Sequence, residues 1–228
     1  MIKILIISAG LVFSLSAYGE VDPFEDINQV THKFNTKIDE SFAAPIAEIY
    51  VKIMPDKLEI GVSNFVANYE DVNIGLNNLL QGKIKDGSSD IVRLLVNSTI
   101  GVLGFVDVAS KMGLEKHDED FGQTLGYWGI SSGPYIVLPF LGPSSLRDTV
   151  AEIPDAFLGG LFFVDHERTA YELTLVDLLE TRARYLGMES LVIGDEYLFY
   201  RDAYFQNREY EILDGIMDDN FEDFEDFD

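Results

Sequence analysis

The sequence predicts an all-α fold, and three observations carry that expectation. Apolar residues recur at three- and four-residue steps along almost the whole chain. No segment shows the sustained alternation of a half-buried strand. The single long stretch that breaks helical periodicity, DFGQTLGYWGISSGPYIVLPFLGPSSLRD (120–148), is punctuated by glycines and prolines and reads as one hairpin or bent loop between helices. With 228 residues and 47% hydrophobic content, the chain can bury a sizeable core within one domain.

Charge and composition narrow the function. Forty acidic residues against 16 basic ones give a net charge of -24, which disfavours nucleic acid as a partner because phosphate-backbone affinity rests on Lys and Arg. The same charge repels anionic lipid head groups, so any membrane contact has to be apolar. The chain has no cysteine, which removes disulfides, thiolate metal sites and a cysteine nucleophile.

Residues 1–19 read as a cleaved export signal: Lys3, an apolar run from Ile4 to Leu15, then Ala17 and Gly19 at the -3 and -1 positions of a signal-peptidase site. A single helical domain is expected over 20–217. Phe24, Ile27, Val30, Phe34 and Ile38 form one apolar stripe; Leu58, Val62, Phe65, Val66 and Tyr69 form a second, after Pro45 and Pro55. Val72, Leu76, Leu79 and Leu80 extend the pattern to Gly82, and the polar cluster DGSSD (86–90) is expected to supply a turn and an N-cap. IVRLLVNSTIGVLGFVDVA (91–109) is apolar nearly all round, which fits a helix buried on most faces or one immersed in lipid. Arg93 and Asp107 argue against a spanning helix, so the residues alone favour burial.

Beyond the irregular stretch, Ser144 or Ser145 is placed to cap a helix running through Ile153. AFLGGLFFV (156–164) suits either a core or a shallow helix at a lipid interface, and periodicity does not separate the two. An amphipathic helix is expected over 165–186, with Tyr171, Leu175, Leu178, Leu179 and Leu186 on its apolar side. A last one is expected from about Asp195 to Leu213. Residues 218–228, within DDNFEDFEDFD, lack any aliphatic side chain and read as a disordered acidic tail, solvated rather than docked on a basic partner.

Catalytic and metal-binding patterns are missing from the sequence. His32, His117 and His166 stand apart with no paired-histidine spacing, and no nucleophile elbow, Walker loop or dinucleotide fingerprint occurs; GISSG around Ser131 and Ser132 has the wrong spacing for an elbow. Asp118, Glu119 and Asp120 read as a solvated loop or helix cap rather than a cation site. No enzyme activity, cofactor or metal is expected. Read on its residues alone, 120–148 is an ordered loop sealing the core, with Trp128 and Tyr135 as packing residues, or an apolar segment lining a cavity.

Four segments carry a resemblance. DPFEDIN (22–28), LVNSTIGVLGFVDVA (95–109), EDFGQTLGYWGISSGPYIVLPFLGPSSLRD (119–148) and EYLFYRDAYFQNREY (196–210) resemble, in order, the successive motifs of the MlaA family, also called VacJ. The resemblance implies a ring-like bundle of helices with a Gly/Pro-rich hairpin beside a central channel. It implies a seat in the inner leaflet of a Gram-negative outer membrane, next to a trimeric porin. It implies removal of misplaced phospholipids from the outer leaflet and their delivery to a periplasmic lipid carrier, preserving lipid asymmetry. A soluble periplasmic binding or scaffold protein that keeps the fold is the alternative.

On that resemblance, Gly126, Trp128, Gly129, Gly133 and Pro134 are hinge or channel positions, the 126–143 hairpin gates the hole, and the 91–109 and 156–164 regions turn apolar surface to lipid. Family members are commonly tethered through a lipidated cysteine. This sequence contains none, so membrane residence rests on an apolar rim and the porin partner, or this member is more loosely bound than its relatives, or the start codon is misassigned.

Overall fold

The computed structural model describes residues 22–157 and 167–216; the signal-peptide and acidic-tail expectations lie outside them, as do residues 158–164 of the AFLGGLFFV run. The helical expectation holds. Helix α1 (Glu25–Ile38) passes through a π-helical turn (Asp39–Ala43) directly into α2 (Ala44–Ile53). Pro45 falls in the first turn of α2, directly after the π-helical turn, where the winding has already left the regular i to i−4 pattern. Helix α3 (Asp56–Leu80) follows, and Gly82 ends it by adopting φ +82°.

Helix α4 (Ile84–Thr99) corrects one expectation: DGSSD lies inside it and supplies neither turn nor cap. Gly87, in that cluster, is the point where α4 crosses α3 at Gly75. The long 91–109 helix is also corrected. It stops at Thr99, because Val102 and Leu103 take positive φ, and a short α5 (Val108–Lys111) restarts under an Asp107 cap. Helix α6 (Phe121–Tyr127) is capped by the Asp120 side chain on the Gln123 N–H at 2.8 Å, as the cap reading anticipates.

The Gly/Pro-rich stretch then forms an antiparallel hairpin, β1 (Tyr135–Leu138) with β2 (Gly142–Ser145), in which Tyr135 pairs with Ser145 and Leu138 with Gly142. Ser145 caps α7 (Leu146–Ala156), which continues two residues past Pro154. Helix α8 (Glu167–Arg184), a 3-10 turn (Met188–Leu191) and α9 (Glu196–Ile212), capped by Asp195, complete the described chain.

Neighbouring elements close into a loop of contacts: α1 on β1, β1 on α7, α7 on α6, α6 on α3, α3 on α8, α8 on α2, and α2 through the π-turn back to α1. The Arg182 guanidinium fixes the last closure, donating to Asp39 Oδ1 at 2.6 Å and Oδ2 at 2.9 Å.

The distribution of polarity is inverted. Among the buried described residues, polar and charged side chains outnumber apolar ones, although apolar residues ordinarily fill interiors. The expected burial of residues 91–109 fails for this reason. Gly87, Asp90, Arg93 and Asn97 are the buried positions of α4, while Leu95, Ile100, Val102, Leu103 and Phe105 face outward. The first stripe is outward too, with Ile27 67% and Val30 68% exposed.

Candidate functional site: a polar interior beneath an apolar rim

Two buried polar clusters let the helices pack without an aliphatic core. In the first, on α3 and α4, Asn78 Nδ2 donates to Asp90 Oδ2 at 2.8 Å and His117 Nδ1 lies 2.8 Å from Asp90 Oδ1. Lys116 Nζ donates to Asp71 Oδ1 at 2.6 Å. Arg93 reaches the Leu114 carbonyl at 2.5 Å and Asp107 Oδ2 at 3.2 Å. The two charges that argue against a spanning helix therefore satisfy each other. Burial alone would raise the Asp107 carboxyl; hydrogen bonds from Ser110 and Asn97, with the Arg93 charge, bring it down to about 2.

The second cluster holds the hairpin. Arg208 grips Asp120 with two bonds, Nη1 to Oδ2 at 2.6 Å and Nη2 to Oδ1 at 2.7 Å, and its Nε reaches Asp148 Oδ2 at 3.1 Å. Arg147, 2% exposed, donates from Nε to Asp148 Oδ1 at 2.8 Å, and the Tyr204 hydroxyl donates to the same carboxylate. Burial alone would raise Asp148; Arg147, Arg208 and Tyr204 outweigh it and hold it at about 2.

From the other side, Asn28 on α1 imitates a strand edge, donating to the Tyr135 carbonyl at 3.0 Å and accepting the Val137 N–H at 2.9 Å. Asn35 repeats the arrangement two turns later with the Leu138 carbonyl and the Phe140 N–H, both at 2.8 Å. The hairpin backbone is thus satisfied by protein, as an apolar segment away from water requires.

The five sequence-predicted positions all fall around the entry to this hairpin. Gly126 lies on α6 where a Cβ would come within 2.6 Å of Ile212 Cδ1 and 2.9 Å of Arg147 Nη1, so its small size lets α9 and the arginine close on α6. Trp128, 51% exposed, donates its indole N–H to the Leu80 carbonyl at 3.2 Å and meets Phe121 edge-on. Gly129 takes φ +87° with open space around it, and Gly133 takes φ +71° against Leu146. Pro134 precedes β1, and its carbonyl accepts the Leu146 N–H at 3.0 Å.

None of the five lines a described cavity. The larger cavity, about 390 Å³, lies between α3 and α8: Asp56, Glu59, Ile60, Ser63 and Asn64 face Glu180, Ala183 and Arg184. A smaller one of about 80 Å³ continues along the same seam between Phe65, Val66, Tyr69 and Glu70 on α3 and Thr174 and Asp177 on α8. Sequence reasoning missed these residues, because exposed acids on an amphipathic helix look alike whether they face water or a cavity. The Tyr50 hydroxyl donates to Glu180 at the seam.

The rim is apolar. Phe140 and Leu141 at the hairpin tip are 69% and 60% exposed, and Phe34 meets Phe140 edge-on at 5.4 Å. With Ile27, Val30, Ile53 and Leu103 they give the exterior the surface an interior normally has. Among the described residues no helix is long and apolar enough to cross a membrane.

Comparison with known proteins agrees with this arrangement. The family model described as MlaA lipoprotein matches residues 20–211. The chain is 33% identical over 198 residues to the "intermembrane phospholipid transport system lipoprotein MlaA" of Escherichia coli strain K12, covering 84% of this chain and 78% of that one. It is 29% identical over 209 residues to the protein of the same name from Haemophilus influenzae, covering 86% and 81%. A solved structure, presented as "Structural basis for maintenance of bacterial outer membrane lipid asymmetry", superposes with a TM-score of 0.77 at 29% identity, over 85% of this chain and all of the other. With the four sequence segments, the helical frame and the hairpin all accounted for, the chain belongs to the MlaA lipoprotein family.

Proposed function

We propose that this protein moves phospholipids between the outer membrane and the periplasm and thereby maintains outer-membrane lipid asymmetry. The observation that carries the reading is the inverted polarity: apolar side chains on the rim, charged and amide side chains inside, and a cavity seam between α3 and α8. A phospholipid in transit has to keep two acyl chains from water, at about 0.8 kcal/mol per CH₂, while its head group stays solvated. A body with an apolar rim and a polar inside supplies both environments without bond making.

Its seat is the inner leaflet of the outer membrane. Phe140, Leu141 and Phe34 enter the acyl region there, and a trimeric porin flanks the ring. Phospholipids leave the outer leaflet through the seam and pass to a soluble periplasmic carrier. The 126–143 hairpin acts as the gate, with Gly129 and Gly133 absorbing the backbone change. With no cysteine to lipidate, retention rests on the apolar rim and the porin, so radiolabelled palmitate is not incorporated and the protein stays with outer membranes through an alkaline wash.

A soluble scaffold that carries no lipid would have a polar exterior, and the exposed rim opposes that reading. The deciding experiment is mass spectrometry of lipid carried through purification. Bound phospholipid supports transport; a lipid-free monomer, monodisperse without detergent, contradicts it.

A further inference from the structure

The chemistry of the α3–α8 seam indicates which head groups suit it. The larger cavity places the carboxylates of Asp56, Glu59 and Glu180 around the same space as one guanidinium, Arg184. Glu180 is 5% exposed and accepts the Tyr50 hydroxyl, so its carboxyl is held inside the protein, where salt screens poorly. Further along, the smaller cavity adds Glu70 and Asp177 and no base. The residue numbers rise on α3 as they fall on α8, so the two cavities lie along one seam between antiparallel helices. A head group moving along it meets carboxylates throughout, with Arg184 the cation among the lining residues and Lys116 near enough to act on Glu70 from outside the lining.

A zwitterionic head group matches that sequence of charges, its phosphate opposite Arg184 and its ammonium opposite the carboxylates. A head group with a phosphate and no cation meets the same arginine but is repelled at every other station. Burial raises both Glu70, to about 7, and Asp177, even against the lowering pull of Lys116 on the first and of Arg184 on both, so an ammonium arriving between them favours their charged forms.

Building on the transport reading, we propose that the seam is a selectivity path that takes ammonium-bearing phospholipids such as phosphatidylethanolamine in preference to net-anionic ones such as phosphatidylglycerol. The preference is built by Asp56, Glu59 and Glu180, and Arg184 supplies phosphate binding common to both lipids.

The test incubates the purified full-length protein with vesicles of equimolar phosphatidylethanolamine and phosphatidylglycerol, reisolates it, and measures the bound lipids by mass spectrometry. The expected ratio favours phosphatidylethanolamine at least about fivefold, the ratio that about 1 kcal/mol of discrimination produces. D56N/E59Q brings the ratio towards that of the vesicle, whereas Arg184→Gln lowers both lipids together. Lipid bound by the wild-type protein at the vesicle ratio, or enriched in phosphatidylglycerol, overturns the selectivity and leaves transport standing. No bound lipid at all overturns transport itself. A folded D56N/E59Q variant that keeps the full enrichment removes the preference from this cavity, and the wild-type ratio decides the matter if that variant does not fold.

Discussion

Gly87 on α4 lies so close to Gly75 on α3 that a Cβ on Gly87 would stand 2.7 Å from the Gly75 carbonyl oxygen and 2.8 Å from Leu79 Cγ. No side chain fits between a helix and the backbone of its neighbour at that distance. The crossing fixes α4 on α3, and with it the buried Asn78–Asp90 bond that follows three residues later on each helix.

Gly87→Ala therefore destabilises the protein despite the better helix propensity of alanine. Overpacking against backbone costs about 1–3 kcal/mol, and the propensity gain of about 1 kcal/mol offsets only part of it. Thermal unfolding in detergent is expected to show a lowered midpoint for Gly87→Ala and a larger drop for Gly87→Leu. An unchanged midpoint would mean that the helices separate more easily than the crossing implies.

Asn28→Ala leaves the Tyr135 carbonyl and the Val137 N–H without their side-chain partner in a buried setting. Each orphaned group costs about 1–3 kcal/mol. Hydrogen exchange at the Val137 amide should accelerate by an order of magnitude or more, while amides of α4, which packs on α3 and α5, keep their wild-type rates. Uniform acceleration across the chain would instead indicate global destabilisation.

Acid should loosen the hairpin anchor. Asp148 is held at about 2, against an ordinary value of 3.8, so its contribution is fully present above about pH 4 and is lost as pH falls towards 2. The size is about 2 kcal/mol by linkage. Asp148→Asn removes that acid dependence and, by leaving Arg147 and Arg208 short of a counter-charge, costs about 3–5 kcal/mol at neutral pH. Denaturant titrations at pH 7 and pH 3 separate the two effects.

Gly129 offers a test of the proposed gate. At φ +87° with open space around it, a valine meets no neighbour but strains the backbone by about 1–2 kcal/mol. Gly129→Val is expected to leave the protein folded and to raise surface-exposed phospholipid in cells that depend on it. Unchanged lipid distribution in a folded variant removes Gly129 from the gating mechanism.

The helices were legible in the sequence because periodicity of three and four survives whichever side of the helix faces out. The direction was not, since the stripe carrying Ile27 and Val30 is identical whether it meets a core or lipid. That symmetry placed residues 91–109 inside, when only Arg93, Asn97, Gly101, Gly104 and Ala109 of the stretch are buried. DGSSD misled for a related reason. Gly87 is a turn residue by local chemistry, but here its missing side chain serves the contact with α3.

The hairpin was legible as a break in helicity, and its partners were not, because Asn28 and Asn35 act across more than 100 residues of sequence. For the same reason the seam residues Asp56, Glu59 and Glu180 gave no local signal; their chemistry comes from α3 and α8 meeting.

The claim that the outward apolar side chains sit in lipid is open to one direct measurement, made clean by the absence of cysteine from the sequence. Single substitutions Val30→Cys, Leu103→Cys and Phe140→Cys, each spin-labelled and reconstituted in outer-membrane lipid vesicles, report depth through the relative relaxation by oxygen and a water-soluble nickel complex. The account predicts that all three labels partition with oxygen in the acyl region, while a label at Lys57→Cys stays with the aqueous relaxant. Labels at Val30, Leu103 and Phe140 that respond to nickel as Lys57 does would place the rim in water and contradict it.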